Sequence, residues 1–218
     1  MKGIVFSFSP GRRRFAAPDW RYIIRRRGIT ALFAALLTAG LAVGAVYAQN
    51  ADEATLGSLD FLFTTNLSSR LSNGAVATFC ACFASDFVFL LGAYLLGTAA
   101  WGIPFLFALT LFKGFGTGVT AGFLCLSYSL GGAGFYLLVL LPGTFVFCAA
   151  FICFLRCSFA FSKRMFLSSV SKTEPAFSLR QELLRYSSRF ATALIIAFFA
   201  SLLDTVLWTL FAGTFNFS

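Results

Sequence analysis

Long apolar runs, joined by polar or glycine-rich connections, fill the chain from Gly28 onward. The first, residues 28–48, is uncharged and about 20 residues long, enough to cross a ~30 Å bilayer core as an α-helix. A polar stretch over 49–85 follows. It carries Asp52, Glu53, Asp60 and one base, Arg70, with turn-forming residues at Asn66, Ser68, Ser69, Ser72, Asn73 and Gly74. Apolar sequence resumes over 86–112, a little long for a single span, with Trp101-Gly102-Ile103-Pro104 at its middle. Pro104 lacks a backbone donor and crowds the preceding turn, so a kink is expected there. Lys113 is expected as the inner-side turn into a short glycine-rich span over 114–130. Gly131-Gly132-Ala133-Gly134 then reads as a tight turn, and 135–155 as a fourth span with a second kink at Pro142. A basic segment over 156–189 precedes the last apolar run, 190–213.

Composition fixes the solvent for these runs. Hydrophobic residues make up 59% of the chain and charged residues 11%, against about 25% charge in soluble proteins. The fold class expected is all-α, a polytopic integral membrane helical bundle of about five transmembrane helices. The net charge of +9 orients it. Every base except Arg70 lies in the arm over 1–27, at Lys113, or in 156–189. Five spans place all of these in the cytosol, with the 49–85 loop and the C-terminus outside, whereas four or six would put one basic block outside. The excess of bases therefore reads as orientation and contact with membrane lipid, not as a nucleic-acid surface, because no aromatic-basic platform accompanies it. Val46-Tyr47-Ala48 would pass as a signal-peptide cleavage site, but the apolar region is longer than usual for one, so an uncleaved anchor is expected. Ser178 and Gln181 give a capping-box pattern. Leu179, Leu183, Leu184 and Phe190 recur at helical spacing against Arg180, Arg185 and Arg189, predicting an amphipathic helix on the inner leaflet.

The glycines carry the packing signal. Gly114, Gly118 and Gly122 fall four residues apart on one helical face, and Gly40 and Gly44 form a small-xxx-small pair in the first span. Gly114-Phe115-Gly116-Thr117-Gly118 is loosely like a phosphate loop, but it follows Lys113 rather than a strand and lacks a downstream Gly-Lys-Ser/Thr. Helix packing is the stronger reading. The chain has six Cys and no His. Four cysteines, Cys125, Cys148, Cys153 and Cys157, lie in or at the end of apolar spans as small hydrophobes. Cys80 and Cys82 lack the second pair or histidines of a zinc site. No catalytic, cofactor-binding or metal residue is expected, and no small-molecule substrate. Two charged residues stand out. Asp204, about 14 residues into the last span, reads either as a carboxyl contacting a partner or the bundle, or as an acid at the outer interface. Lys113 reads as an inner-interface residue with the same contact role as the alternative.

Taken together, Trp101-Gly102-Ile103-Pro104, Phe112-Lys113-Gly114, Gly118-Val119-Thr120-Ala121-Gly122-Phe123-Leu124, Leu140-Leu141-Pro142 and Ser201-Leu202-Leu203-Asp204 resemble the bacterial stage II sporulation protein M family, over about residues 28–213. Gly143 departs from the pattern, standing where the family often has a polar or ring-bearing side chain. The resemblance implies a non-enzymatic membrane scaffold acting with stage II sporulation proteins D and P, two membrane-anchored peptidoglycan-cutting enzymes. It implies a place in the cell membrane at the sporulation septum and in the engulfing mother-cell membrane, and a part in septal wall thinning and forespore engulfment. A small-solute transporter or permease subunit is the alternative, on the strength of proline-interrupted spans and a glycine-rich helix. A membrane-embedded hydrolase is disfavoured, since the nucleophile and base such chemistry needs are missing.

Overall fold

The computed structural model describes the backbone of residues 20–50, 74–170 and 179–211, and the side chains of 28–50, 74–126, 131–169 and 180–211. These residues form α1 (Trp20–Asn50), α2 (Ala75–Thr98), α3 (Gly102–Phe135), a π-helical turn (Tyr136–Leu140), α4 (Leu141–Val170) and α5 (Leu179–Phe211), with no strand among them. Five helical segments are long and apolar enough to cross a membrane. Large apolar side chains such as Leu32, Val88, Leu95, Phe145, Phe199 and Leu210 face outward on these helices. That surface suits lipid and no other solvent. The basic arm's side chains, most of the polar loop (51–73), Pro175 and the Ser178 cap lie outside the described residues.

The structure moves several boundaries. Residues 75–85, expected in the outer loop, are the first three turns of α2. Phe79 and Phe83 stack on one face of that helix, and both meet Phe198 of α5 edge-on, with centroids 5.2 and 5.8 Å away. Asp86 consequently sits at the middle of a helix instead of at its start. The expected kink at Pro104 is not in mid-span either. The chain breaks upstream, at Ala99–Trp101, and Pro104 falls in the first turn of α3, where its missing N–H costs nothing. Ser162 of α4 donates to the Ala99 carbonyl at 2.7 Å and so satisfies the break. Gly102 is needed there, because a β-carbon would run into the Leu96 carbonyl. Trp101 projects from the corner and meets Phe166 edge-on at 6.1 Å, an arrangement typical of a membrane interface.

Lys113 is not a turn. It lies inside α3, buried. Lys113 and Phe147 would stand about 50 Å apart on one straight helix, yet the ammonium is 4.6 Å from the Phe147 ring. The chain therefore folds back between Thr120 and Tyr136, which line one cavity. The backbone of Gly131 to Gly134, expected as the turn, is helical. The π-helical turn then ends just before Pro142. Its wider winding accommodates a residue that cannot donate to the turn before it. The Thr144 hydroxyl donates back to the Leu140 carbonyl across this point.

Two contacts lock the bundle. α1 lies along α3 with backbones almost touching. β-carbons on Gly114 and Gly118 would strike the carbonyls of Leu37 and Leu41, and one on Gly122 would come within 3.0 Å of the Ala45 carbonyl. Each pair is 77 residues apart, so the two helices run parallel in a fixed register. Gly40 and Gly44 answer from the other side, against the backbone of Leu111 and Phe115. At the other end, Tyr186 of α5 is inserted between α2 and α4. Its ring stacks on Phe161, Tyr94 and Phe154 at 4.7, 5.1 and 5.5 Å. Its hydroxyl donates to the carbonyls of Ala93 (3.2 Å) and Tyr94 (3.1 Å) and meets the Ser158 hydroxyl at 2.8 Å. The amphipathic helix expected on the inner leaflet is thus the first part of α5, held upright by a buried aromatic that also satisfies a helix backbone. Tyr186→Phe keeps the ring stack and removes the hydrogen bonds. It is expected to cost about 1–2 kcal/mol, read as a lowered melting temperature in detergent, and an unchanged one would show that the hydroxyl contributes nothing.

Candidate functional site

Polar side chains placed at helical spacing in α2, α3 and α5 converge inside the apolar bundle. On α2, Cys82 and Asp86 are one turn apart. On α3, Lys113, Thr117 and Thr120 share a face, and on α5, Ser201 and Asp204 do. The Lys113 ammonium donates to Asp86 Oδ1 at 2.9 Å, with the two side chains 7% and 15% exposed. It also sits 4.6 Å from the ring centroids of both Phe89 and Phe147. A cation held by a carboxylate and two ring faces is stabilised by Coulomb attraction and by the ring quadrupoles, both strengthened where water is sparse. Asp204, also buried, accepts a hydrogen bond from the Cys82 thiol at 3.2 Å.

These groups surround a cavity of about 70 Å³, room for a few water molecules. Cys82, Ser85 and Asp86 line it from α2. Lys113, Thr117 and Thr120 do so from α3, Tyr136 and Leu140 from the π-helical turn, and Gly143, Thr144, Ser201 and Asp204 from the remaining helices. The threonine hydroxyls are spoken for as donors. Thr117 donates to the Gly114 carbonyl at 2.8 Å and Thr120 to that of Gly116 at 3.0 Å. Each hydroxyl oxygen keeps lone pairs with which it can accept. Gly143 allows the closeness of α4 and α5 here, since a β-carbon on it would stand 3.0 Å from Asp204 Cβ and 3.1 Å from the Ala200 carbonyl. The departure at this position is thus a packing feature beside the carboxyl.

The structure brings Lys113 and Asp204, singled out separately in the sequence, into one cluster. It assigns neither to an interface. The glycine run sits elsewhere, on the α1 face of α3, where it packs helix on helix and has no free loop to wrap a phosphate. Asp86 is the residue that sequence reasoning misplaced most. The hydroxyls of Thr117, Thr120 and Ser201 were missed, although their spacing from Lys113 and Asp204 was visible as polar stripes on apolar helices. No group of three or more metal-ligating side chains occurs among the described residues.

A multi-span helical bundle with an ion pair and a second carboxyl sealed inside it defines a polytopic membrane protein, as distinct from a single-span anchor. The chain belongs to the stage II sporulation protein M family, whose pattern it matches over residues 32–204. The match takes in Asp86, Lys113 and Asp204. No curated protein and no solved structure matches the chain. The protein is accordingly a multi-pass membrane protein of a sporulation family.

Proposed function

We propose that this protein is a non-enzymatic membrane scaffold of a septal peptidoglycan-hydrolase complex, working with stage II sporulation proteins D and P in septal wall thinning and forespore engulfment. The observation that carries this reading is the family match across most of the bundle. In the cavity Lys113 and Asp86 pair with each other, and the hydroxyls of Thr117 and Thr120 donate to their own backbone, so neither hydroxyl is bonded to a base; the Cys82 thiol is the group there that meets a carboxylate, that of Asp204. The basic end of the bundle, with Arg164, Arg185 and Arg189, faces the cytosol in this reading. The Thr120–Tyr136 reversal, at the opposite end, faces the wall in this reading, on the side where such hydrolases act. The test is co-purification of the two hydrolases with the tagged protein from sporulating cells, alongside their septal localisation in a deletion strain. Undisturbed localisation and engulfment without the protein would end the proposal.

The cavity favours one second reading, a permease subunit. Its acceptor-lined walls and central charges are features that transport sites share. Solute or ion flux into proteoliposomes that disappears in Asp204→Asn would favour it over the scaffold. Flux indistinguishable from empty liposomes would dispose of it.

A further inference from the structure

A groove of about 540 Å³ runs between α4 and α5 on the outer surface of the bundle, in size a ligand site rather than a packing fault. Small residues, Ala149, Ala150 and Ala193, line it, together with Val146 and Ile196. At the basic end Cys157 and Arg189, in contact with each other, also line a second, polar cavity of about 170 Å³. That second cavity also holds Arg164, Arg185 and Glu182. Glu182 pairs with Arg164 at 2.8 Å and more distantly with Arg185 at 4.0 Å. Arg189 donates, among the described residues, to the weak acceptor Cys157 Sγ, at 3.1 Å. Among the described residues three guanidiniums thus face one carboxylate, which leaves an excess of two positive charges at the mouth of an apolar trough.

We infer that the groove and the adjoining polar cavity together bind one anionic phospholipid, an acyl chain lying in the α4–α5 groove and the phosphate held by Arg189 and Arg185. The order of the two parts carries the assignment. The apolar part lies at membrane depth, and the cationic part lies at the end marked by the Trp101–Phe166 interface pair. A lipid presents tail and headgroup in that same sequence. Guanidinium forks match phosphate oxygens bidentately, and basic pockets between helices on the cytoplasmic side suit anionic headgroups. A partner helix would fill the trough but would leave the excess charge unanswered.

The test uses the full-length protein in detergent, with phosphatidylglycerol, cardiolipin or phosphatidylethanolamine added, and reads retained lipid by native mass spectrometry and the melting temperature. The expected result is retention of the two anionic lipids over phosphatidylethanolamine by about tenfold or more, with a melting-temperature rise that only they produce. Arg185→Gln with Arg189→Gln should abolish that preference, and Ala149→Trp, which fills the trough from its exposed side, should reduce retention of all three. Equal retention of anionic and zwitterionic lipid by the unaltered protein would overturn the inference, whatever the variants do. So would Ala149→Trp releasing a protein partner or dissociating an oligomer while lipid retention stays intact, because the groove would then belong to a helix.

Discussion

Lys113→Ala is expected to destabilise the protein by about 3–5 kcal/mol, among the largest effects of any single substitution in the described residues. The reason is asymmetric. In the native bundle the ammonium and the Asp86 carboxylate meet at 2.9 Å, both shielded from solvent. Removing the cation leaves Asp86 buried beside a second carboxyl, Asp204, which lines the same cavity. Two acids then share one small cavity without their counter-ion. The rings of Phe89 and Phe147, which favour a cation through their faces, present the same negative faces to the orphaned carboxylate. Replacing both partners should cost less, because Asp86→Asn with Lys113→Met leaves neither member of the pair unmatched, reduces the acids of the cavity to Asp204 alone and keeps most of the volume. Melting temperatures of the two single variants and the double variant in one detergent form the cycle that checks this. Near-additive losses would show that the pair is not coupled and that the geometry at 2.9 Å has little energetic weight. The same variants separate the functional readings. A scaffold needs the bundle, so the stable double variant should still support engulfment. A transport site needs the charges, so the same variant should be inactive.

The legible part of the fold was whatever depends on neighbours along the chain. Five apolar segments, the glycine spacing in α3 and the clustering of bases all follow from local composition. The misplaced parts depend on partners distant in sequence. Lys113 was expected at a membrane boundary because a lone lysine in an apolar run is costly. Its partner, 27 residues earlier on another helix, removes that cost, and no local pattern announces the pairing. Pro104 was read from its chemistry as a breaker. The actual break, three residues upstream, is set by the space beside Leu96 that only Gly102 tolerates and by a hydroxyl from α4. The apolar and basic positions in the first part of α5 form an amphipathic pattern that takes no account of Tyr186. A buried tyrosine with three polar contacts draws that segment into the bundle. In each case a polar group found its partner across helices, which hydropathy along one helix cannot register.

The second large effect is a substitution whose sign depends on where it is made. Gly118→Ala adds one methyl group at the α1–α3 contact and should cost about 2–3 kcal/mol. Gly131→Ala adds the same methyl in an exposed helical position and should be neutral or stabilising by up to about 1 kcal/mol, since alanine is the better helix former. The difference lies in what the new atom meets. At Gly118 it strikes the Leu41 carbonyl, a backbone group that cannot rotate away, whereas at Gly131 nothing lies within 4 Å. To admit it, α1 and α3 must separate along the contact that also holds Gly40, Gly44 and Gly114, and so lose close packing over several turns at once. Gly122→Ala should fall between the two, because its nearest neighbour is the Ala48 methyl at 2.8 Å and the Ala45 carbonyl lies a little further off, at 3.0 Å. Thermal unfolding of the three variants in detergent gives the ranking directly. If Gly118→Ala melted no lower than Gly131→Ala, the parallel α1–α3 register, with its constant 77-residue offset, would be wrong.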